Sequence, residues 1–154
     1  MKSKALEGTI SVNSKGVGYV RVLGEKGDDI EIQHTHLNTA LQGDLVLVKL
    51  KGKGMKGGRA GIVTEIIKRA KAGFAGTLVK DGKRFVVQPS DPKMYTVIEI
   101  KKDSMNGAKV GQKVFASIDT WNDMNSLPIG TIDHVLGQPG ENNAEMLGIA
   151  LEKG

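Results

Sequence analysis

The chain has 154 residues, 39% hydrophobic but only 4% aromatic, with 21 glycines, four prolines and no cysteine. This length allows one mid-sized domain or two small ones with aliphatic cores, and the missing cysteines exclude disulfides and zinc–thiolate centres and fit a reducing compartment. The net charge of +5 favours a polyanionic partner and is lopsided: residues 1–70 hold 12 Lys and Arg against 7 Asp and Glu, whereas residues 71–154 hold ten of each.

From the N-terminus, "MKSKALEGTISV" lacks an apolar signal core, and no later stretch approaches the length of a membrane span. The expectation is a cytoplasmic protein without a membrane partner. Next come "TISV", "GYVRV", "DIEI", "DLVLVKL" and "AGIVTEII", β-branched runs separated by Gly- or Asp-rich turns, which predict five strands. Between the third and fourth, "HTHLNTALQG" is the one place for a helical turn, closed by Gly43. Five strands with a short helix after the third predict an OB-type barrel, a closed sheet that needs little core.

The pattern then repeats. "EGTISV" (7–12) recurs as "AGTLVK" (75–80), and the same offset of 68 residues aligns "DIEIQHTHLNTALQGDLVLVKL" (29–50) with "VIEIKKDSMNGAKVGQKVFASI" (97–118). "GIVTEII" (61–67) meets "GTIDHVL" (130–136) at one residue more, and "GYV" (18–20) meets "RFV" (84–86) after a two-residue slip. The fold class is therefore all-β, two tandem five-stranded barrels over 1–70 and 71–140. The tail "ENNAEMLGIALEKG" carries Met146, Leu147, Ile149, Ala150 and Leu151 at helical spacing and predicts a helix over 141–154, outside both barrels.

Within the first copy, "SKGVGYVRV" (14–22) is unusual in setting glycines beside an aromatic. Read as one extended strand, it puts Lys15, Val17, Tyr19 and Arg21 on one face and Gly16, Gly18, Val20 and Val22 on the other. An aromatic between cations suits stacking of an unpaired base with its phosphate nearby, and glycines admit a ligand close to the backbone. "KLKGKGMKGGR" (49–59) adds Lys49, Lys51, Lys53, Lys56 and Arg59 without an acid. It is read as the loop between the fourth and fifth strands, one of the two OB loops that commonly grip oligonucleotides; the plainer reading is a solvated hairpin tip. Its G-x-G-x-x-G (52–57) precedes no helix, which argues against a dinucleotide site.

"KGVGYV" resembles the first ribonucleoprotein motif of cold-shock domains, and "DIEI" sits where those domains carry Asp-Val-Phe-Val. The ordered series "EGTISV…GVGYVRV…DIEI…LNTALQGDLVLVKL…GRAGIVTEIIKR", then "GTLV…RFVVQPSD…IEI…AKVGQKVFASIDTW…LPIGTIDHVLGQPG", is similar to the paired cold-shock domains preceding the catalytic domain of ribonuclease R and ribonuclease II type exoribonucleases. Val17 and Glu31 replace the family's stacking aromatics. Glu31 is expected to share the outer surface with Tyr19 and to repel phosphate, leaving RNA binding that leans on charge and falls steeply with salt.

His34 and His36 in "HTH" lack a third metal ligand; no metal site is assigned, and His34 is given a minor RNA contact. "DD" (28–29) is read as a turn. Trp121 is read as packing under its own loop. Phe85, flanked by Lys83 and Arg84, is taken to occupy the place of Tyr19 and either stacks or fills the barrel. No nucleophile elbow, P-loop or other catalytic constellation is found, so no cofactor is expected in this chain.

The resemblance implies a module that binds single-stranded RNA and guides it to the catalytic domain of the same parent chain, a 3′→5′ exoribonuclease whose aspartates hold magnesium. The RNA contacts expected are Lys15, Tyr19, Arg21, His34, Lys49, Lys51, Lys53, Lys56, Arg59, Lys83 and Phe85, and the tail is expected to be the helix leading to the catalytic domain. The alternative is an interaction module that packs on a nuclease or ribosome-associated complex, with incidental RNA affinity.

Overall fold

The computed structural model describes residues 5–24, 27–55 and 57–153. The chain divides into two compact units between Ala70 and Lys71. In the first, β1 (Ala5–Val12), β2 (Gly18–Val22), β3 (Ile30–Ile32), β4 (Leu45–Lys53) and β5 (Arg59–Lys68) close a barrel in the order β1-β2-β3-β5-β4. In the second, β6 (Phe74–Asp81), β7 (Arg84–Pro89), β8 (Ile98–Ile100), β9 (Lys113–Thr120) and β10 (Ile129–Gly137) close in the order β10-β8-β7-β6-β9. Pairing is antiparallel except where the third strand of each unit runs parallel to the fifth. This is the five-stranded OB barrel in duplicate.

Alternation explains why these short runs hold. Ile10, Val12, Val20, Ile30, Ile32, Val46 and Val48 point inward and fill the first barrel with Leu37; Leu78, Val87, Ile98, Ile100, Val114 and Ile132 do the same in the second. Closing so narrow a barrel brings strands close together. A Cβ at Gly8 would run into the carbonyl oxygen of Arg21, and one at Gly76 into that of Gln88, so only glycine fits at either crossing.

The repeat survives at atomic detail. A short 3-10 helix follows the third strand at His34–His36 and again, 68 residues on, at Lys102–Ser104. Asn38 and Asn106 both have positive φ, and Gly43 N–H donates to Ile10 O as Gly111 N–H donates to Leu78 O. The slip in the second strand differs from the sequence expectation. Val20 opposes Ile30 and Val87 opposes Ile98, a shift of one residue rather than two. Tyr19, opposite Glu31, therefore corresponds to Val86, opposite Glu99, and Phe85 lies one position along, on the other face of its strand.

The helix α1 (Asn142–Lys153) packs on the second barrel with an unexpected face. Its buried residues are the small Ala144 and Gly148; a Cβ on Gly148 would lie 3.0 Å from that of Ala75. Two charges complete the contact. Glu152 accepts the Ala75 N–H at 3.0 Å, and the buried Lys113 ammonium donates to Glu145 Oε1 at 3.0 Å and to Ser90 Oγ. The apolar side chains that predict the helix, Met146, Leu147 and Ile149, stay exposed. Among the described residues no helix is long and apolar enough to cross a membrane.

Candidate nucleic-acid interface

The approach to β2 is a turn. Asn13 Oδ1 accepts the N–H groups of both Lys15 and Val17 at 3.0 Å, and Gly16 takes φ +78°. The extended run expected from residue 14 thus begins only at Gly18, and Lys15 sits in the turn, exposed, outside the alternation that orients Tyr19 and Arg21. Gly18 faces inward against Ile10 and Leu37, which leaves Tyr19 on the outer face, half-buried, and Arg21 beyond it, exposed and 3.4 Å from Asp29.

Glu31 stands directly opposite Tyr19, as expected, but it is only 6% exposed. The β4–β5 hairpin closes over it. Met55 N–H donates to Glu31 Oε2 at 3.0 Å, Gln33 Nε2 donates to the same oxygen, and Gly54 passes so close that a Cβ there would lie 3.1 Å from the carboxylate. Rather than an exposed repulsive charge, the acid is the post to which the hairpin tip is tied.

The hairpin is mostly strand, because β4 continues to Lys53 and β5 begins at Arg59. Lys49 and Lys51 share the outer face of β4, both exposed. At Gly52 the φ is +63° and the register with β5 shifts by a residue between Leu50 and Lys53. This bulge breaks the alternation and re-aims Lys53, which pairs with Arg59 at the hairpin's end. Arg59 Nη2 donates to the carbonyl of Asp28 at 2.8 Å, linking the hairpin to the β2–β3 loop. Lys56 lies outside the described residues.

Between these loops lie two adjoining concavities. One, of about 310 Å³, is lined by Tyr19, Glu31, Asp29, Gly54 and Arg59 among others; its neighbour, of about 490 Å³, is lined by Gly52, Lys53 and Gly57, and the two share Asp28, Gly58 and Arg59. The structure thus brings together Tyr19, Lys53 and Arg59, with Arg21 at the margin through Asp29. Lys49 and Lys51 stand on the ribbon outside the cavity lining. His34 packs on Gly16, its Nδ1 3.1 Å from the Gly16 oxygen, with much of the residue exposed. Asp28 and Asp29, read from sequence only as a turn, line the cavity. The signal for them was the Asp pair itself, next to a strand that faces a basic loop.

The second unit offers a different surface. Val86, the counterpart of Tyr19, is 3% exposed, and Glu99 is held by Lys101 at 2.9 Å and Arg84 at 4.0 Å. Phe85 is half-buried opposite Lys80, whose ammonium lies 5.8 Å from the ring centroid; Lys83 is exposed in the turn before it. Trp121 Nε1 donates to Ser126 O within its own β9–β10 loop at 3.1 Å, and its ring lies 6.0 Å from that of Tyr95 in the β7–β8 loop, so it packs between the two loops.

Duplicate OB barrels, the first with an aromatic and basic face beside the β4–β5 hairpin, define a tandem module of the nucleic-acid-binding class. Residues 8–66 match the Ribonuclease B OB domain family and residues 85–154 the Cold shock domain family. The chain belongs to the tandem OB domains of the ribonuclease R and ribonuclease II family. Ribonuclease R of Escherichia coli is 30% identical over 133 residues, covering 86% of this chain and 16% of that protein. Ribonuclease R of Mycoplasma genitalium is 28% identical over 141 residues, covering 87% and 19%. The solved structure of Mycoplasma genitalium RNase R in complex with ribose methylated single-stranded RNA superposes with a TM-score of 0.84 at 24% identity, over 96% of this chain and 24% of that one. The chain therefore spans less than a fifth of the length of these two curated relatives.

Proposed function

We propose that this chain captures single-stranded RNA on the outer face of its first barrel and guides it to the catalytic domain of a ribonuclease R type 3′→5′ exoribonuclease. The observation that carries this reading is the pair of adjoining concavities between the β2–β3 loop and the β4–β5 hairpin, one lined by Tyr19, the other by Lys53, and both by Arg59. A base stacks on the ring, the phosphates on either side meet the basic ribbon, and the glycines of the hairpin let the backbone approach. Lys49, Lys51 and Arg21 extend the positive rim along which the strand runs, with Lys15, His34, Lys56, Lys83 and Phe85 as further contacts. The relative solved with single-stranded RNA supports the ligand class. The nuclease's magnesium belongs to the catalytic domain.

Titration of the chain with labelled oligo(A) at low and physiological salt tests this. Binding that weakens steeply with salt supports it, and absence of binding at low salt contradicts it.

A second reading, an interaction module, is favoured by one feature: α1 leaves Met146, Leu147 and Ile149 exposed while docking through Ala144 and Gly148. Such an apolar face suits packing against the catalytic domain of the same parent chain. The two readings are compatible, since the RNA contacts lie on the barrels and the apolar face lies on α1.

A further inference from the structure

Resting on the RNA-binding reading, we infer that Met55 is an apolar base contact, its thioether side chain packing against an unpaired nucleobase of the strand held along the first barrel. In the hairpin segment 51–59 it is the one residue that is neither glycine nor a cation. It is 86% exposed, the most of any large apolar residue among those described. A lone exposed apolar side chain on a loose loop is ordinary, but this tip is held. Gly54 N–H donates to Gly58 O at 2.8 Å, Gly57 N–H to Gly54 O at 3.0 Å, and the N–H of Met55 itself to the nearly buried Glu31 carboxylate at 3.0 Å. The backbone is fixed while the side chain is left in water.

The second copy shows such a methionine with a partner from its own chain. At the 69-residue offset that aligns β5 with β10, Met55 matches Met124. Met124 is half-buried, and the Tyr95 hydroxyl donates to its sulfur at 3.9 Å. A polarizable thioether is suited to aromatic company. Met55 has no such cover, and the chemistry around it selects the ring that would provide one. Lys53 and Arg59 flank the tip, which favours an anionic partner, and a protein surface would call for a broader apolar patch than one side chain. A nucleic-acid strand combines flat rings with phosphates, and only unpaired bases offer their faces to a side chain. Gly54 and Gly58, on either side of Met55, line the cavity with Tyr19, so a strand with a base stacked on Tyr19 passes this tip. An unbranched thioether adapts to any ring, so the contact favours unpaired bases without choosing among them.

The test uses the full 154-residue chain, a labelled 12-residue oligo(A) and a base-free ribose-phosphate strand of the same length, titrated by anisotropy over a salt series. Met55→Ala is expected to weaken oligo(A) binding roughly fivefold, in the range of one sulfur–ring contact, without changing the slope of log affinity against log salt. Met55→Leu, similar in volume, is expected to stay within about twofold of the unaltered chain. On the base-free strand all three proteins are expected to bind alike. Oligo(A) affinity unchanged in Met55→Ala overturns the inference and leaves the RNA-binding reading standing. A loss of the same size on the base-free strand overturns it too, because the contact is then not with a base. No binding of oligo(A) by the unaltered chain at low salt overturns both readings. Both variants keep the backbone N–H that Glu31 accepts and lose no buried packing, so the fold is not at stake.

Discussion

Tyr19 and Glu31 face each other across β2 and β3, and the hairpin tip tied to Glu31 through the Met55 amide lines the same cavity as Tyr19. An acid standing where cold-shock domains carry an aromatic has exchanged a stacking surface for an anchor. Removing it should loosen the hairpin without touching the core. In Glu31→Ala the Met55 N–H loses its acceptor but gains water, a cost of about 1 kcal/mol. Hydrogen exchange at Gly54 and Met55 should quicken several-fold while the amides of Ile10 and Val20 keep their protection; unchanged exchange at Met55 would refute the anchor.

Tyr19 lies on the outside of the barrel, so its loss should be felt by the ligand more than by the fold. Tyr19→Ala should weaken RNA binding by about 1–3 kcal/mol, the value of one base–aromatic stack, and Tyr19→Phe should retain most of the affinity. Anisotropy titrations of both variants separate stacking from hydroxyl contacts.

The ribbon lysines act through charge. Replacing Lys49, Lys51 and Lys53 together by alanine should lower the slope of log affinity against log salt by about 2, since each neutralised phosphate of a single strand contributes about 0.7. A slope equal to that of the unaltered chain would place the RNA elsewhere.

Gly8 and Gly76 hold equivalent crossings in the two barrels. Gly8→Val and Gly76→Val should each cost about 2 kcal/mol or more through overpacking against a backbone carbonyl. Chemical denaturation followed residue by residue should show Gly8→Val loosening residues 5–70 and Gly76→Val residues 71–153.

The attachment of α1 should depend on pH. The Glu145 carboxyl is held below its ordinary value, first by the hydrogen bond from Lys113 and then by that from the Gly140 N–H. A depressed folded-state value means that the stabilisation is full above the ordinary carboxylate range and is lost as pH falls through the lowered value. Glu145 is 41% exposed, so the contribution is modest. Amide exchange in residues 142–153 should rise on acidification to below that range, and Glu145→Gln should flatten the dependence.

Much of this architecture was legible because it was written twice. Ile30 with Ile98, Gly43 with Gly111 and Gly8 with Gly76 carry a β-period and a turn chemistry that no tertiary context overrode. What escaped the sequence were breaks in alternation. Gly16 and Gly52 adopt positive φ, which takes Lys15 out of the strand and turns Lys53 toward the cavity. The one-residue slip that moves Phe85 off the place of Tyr19 is a matter of register, visible only once β7 pairs with β8. In the helix, apolar spacing marked the element but not its docking face, because close approach to β6 favoured Ala144 and Gly148 over larger side chains. From sequence Glu31 looks like a surface charge, because nothing local announces that a hairpin over 20 residues later in the chain will close on it.

The most direct test is a backbone amide NMR titration of the chain with a single-stranded 12-residue RNA at low salt. The account predicts that shifts concentrate at residues 18–21, 28–32 and 49–59, around Tyr19, Glu31 and Arg59. Shifts confined to the second unit, or none at saturating RNA, would contradict it.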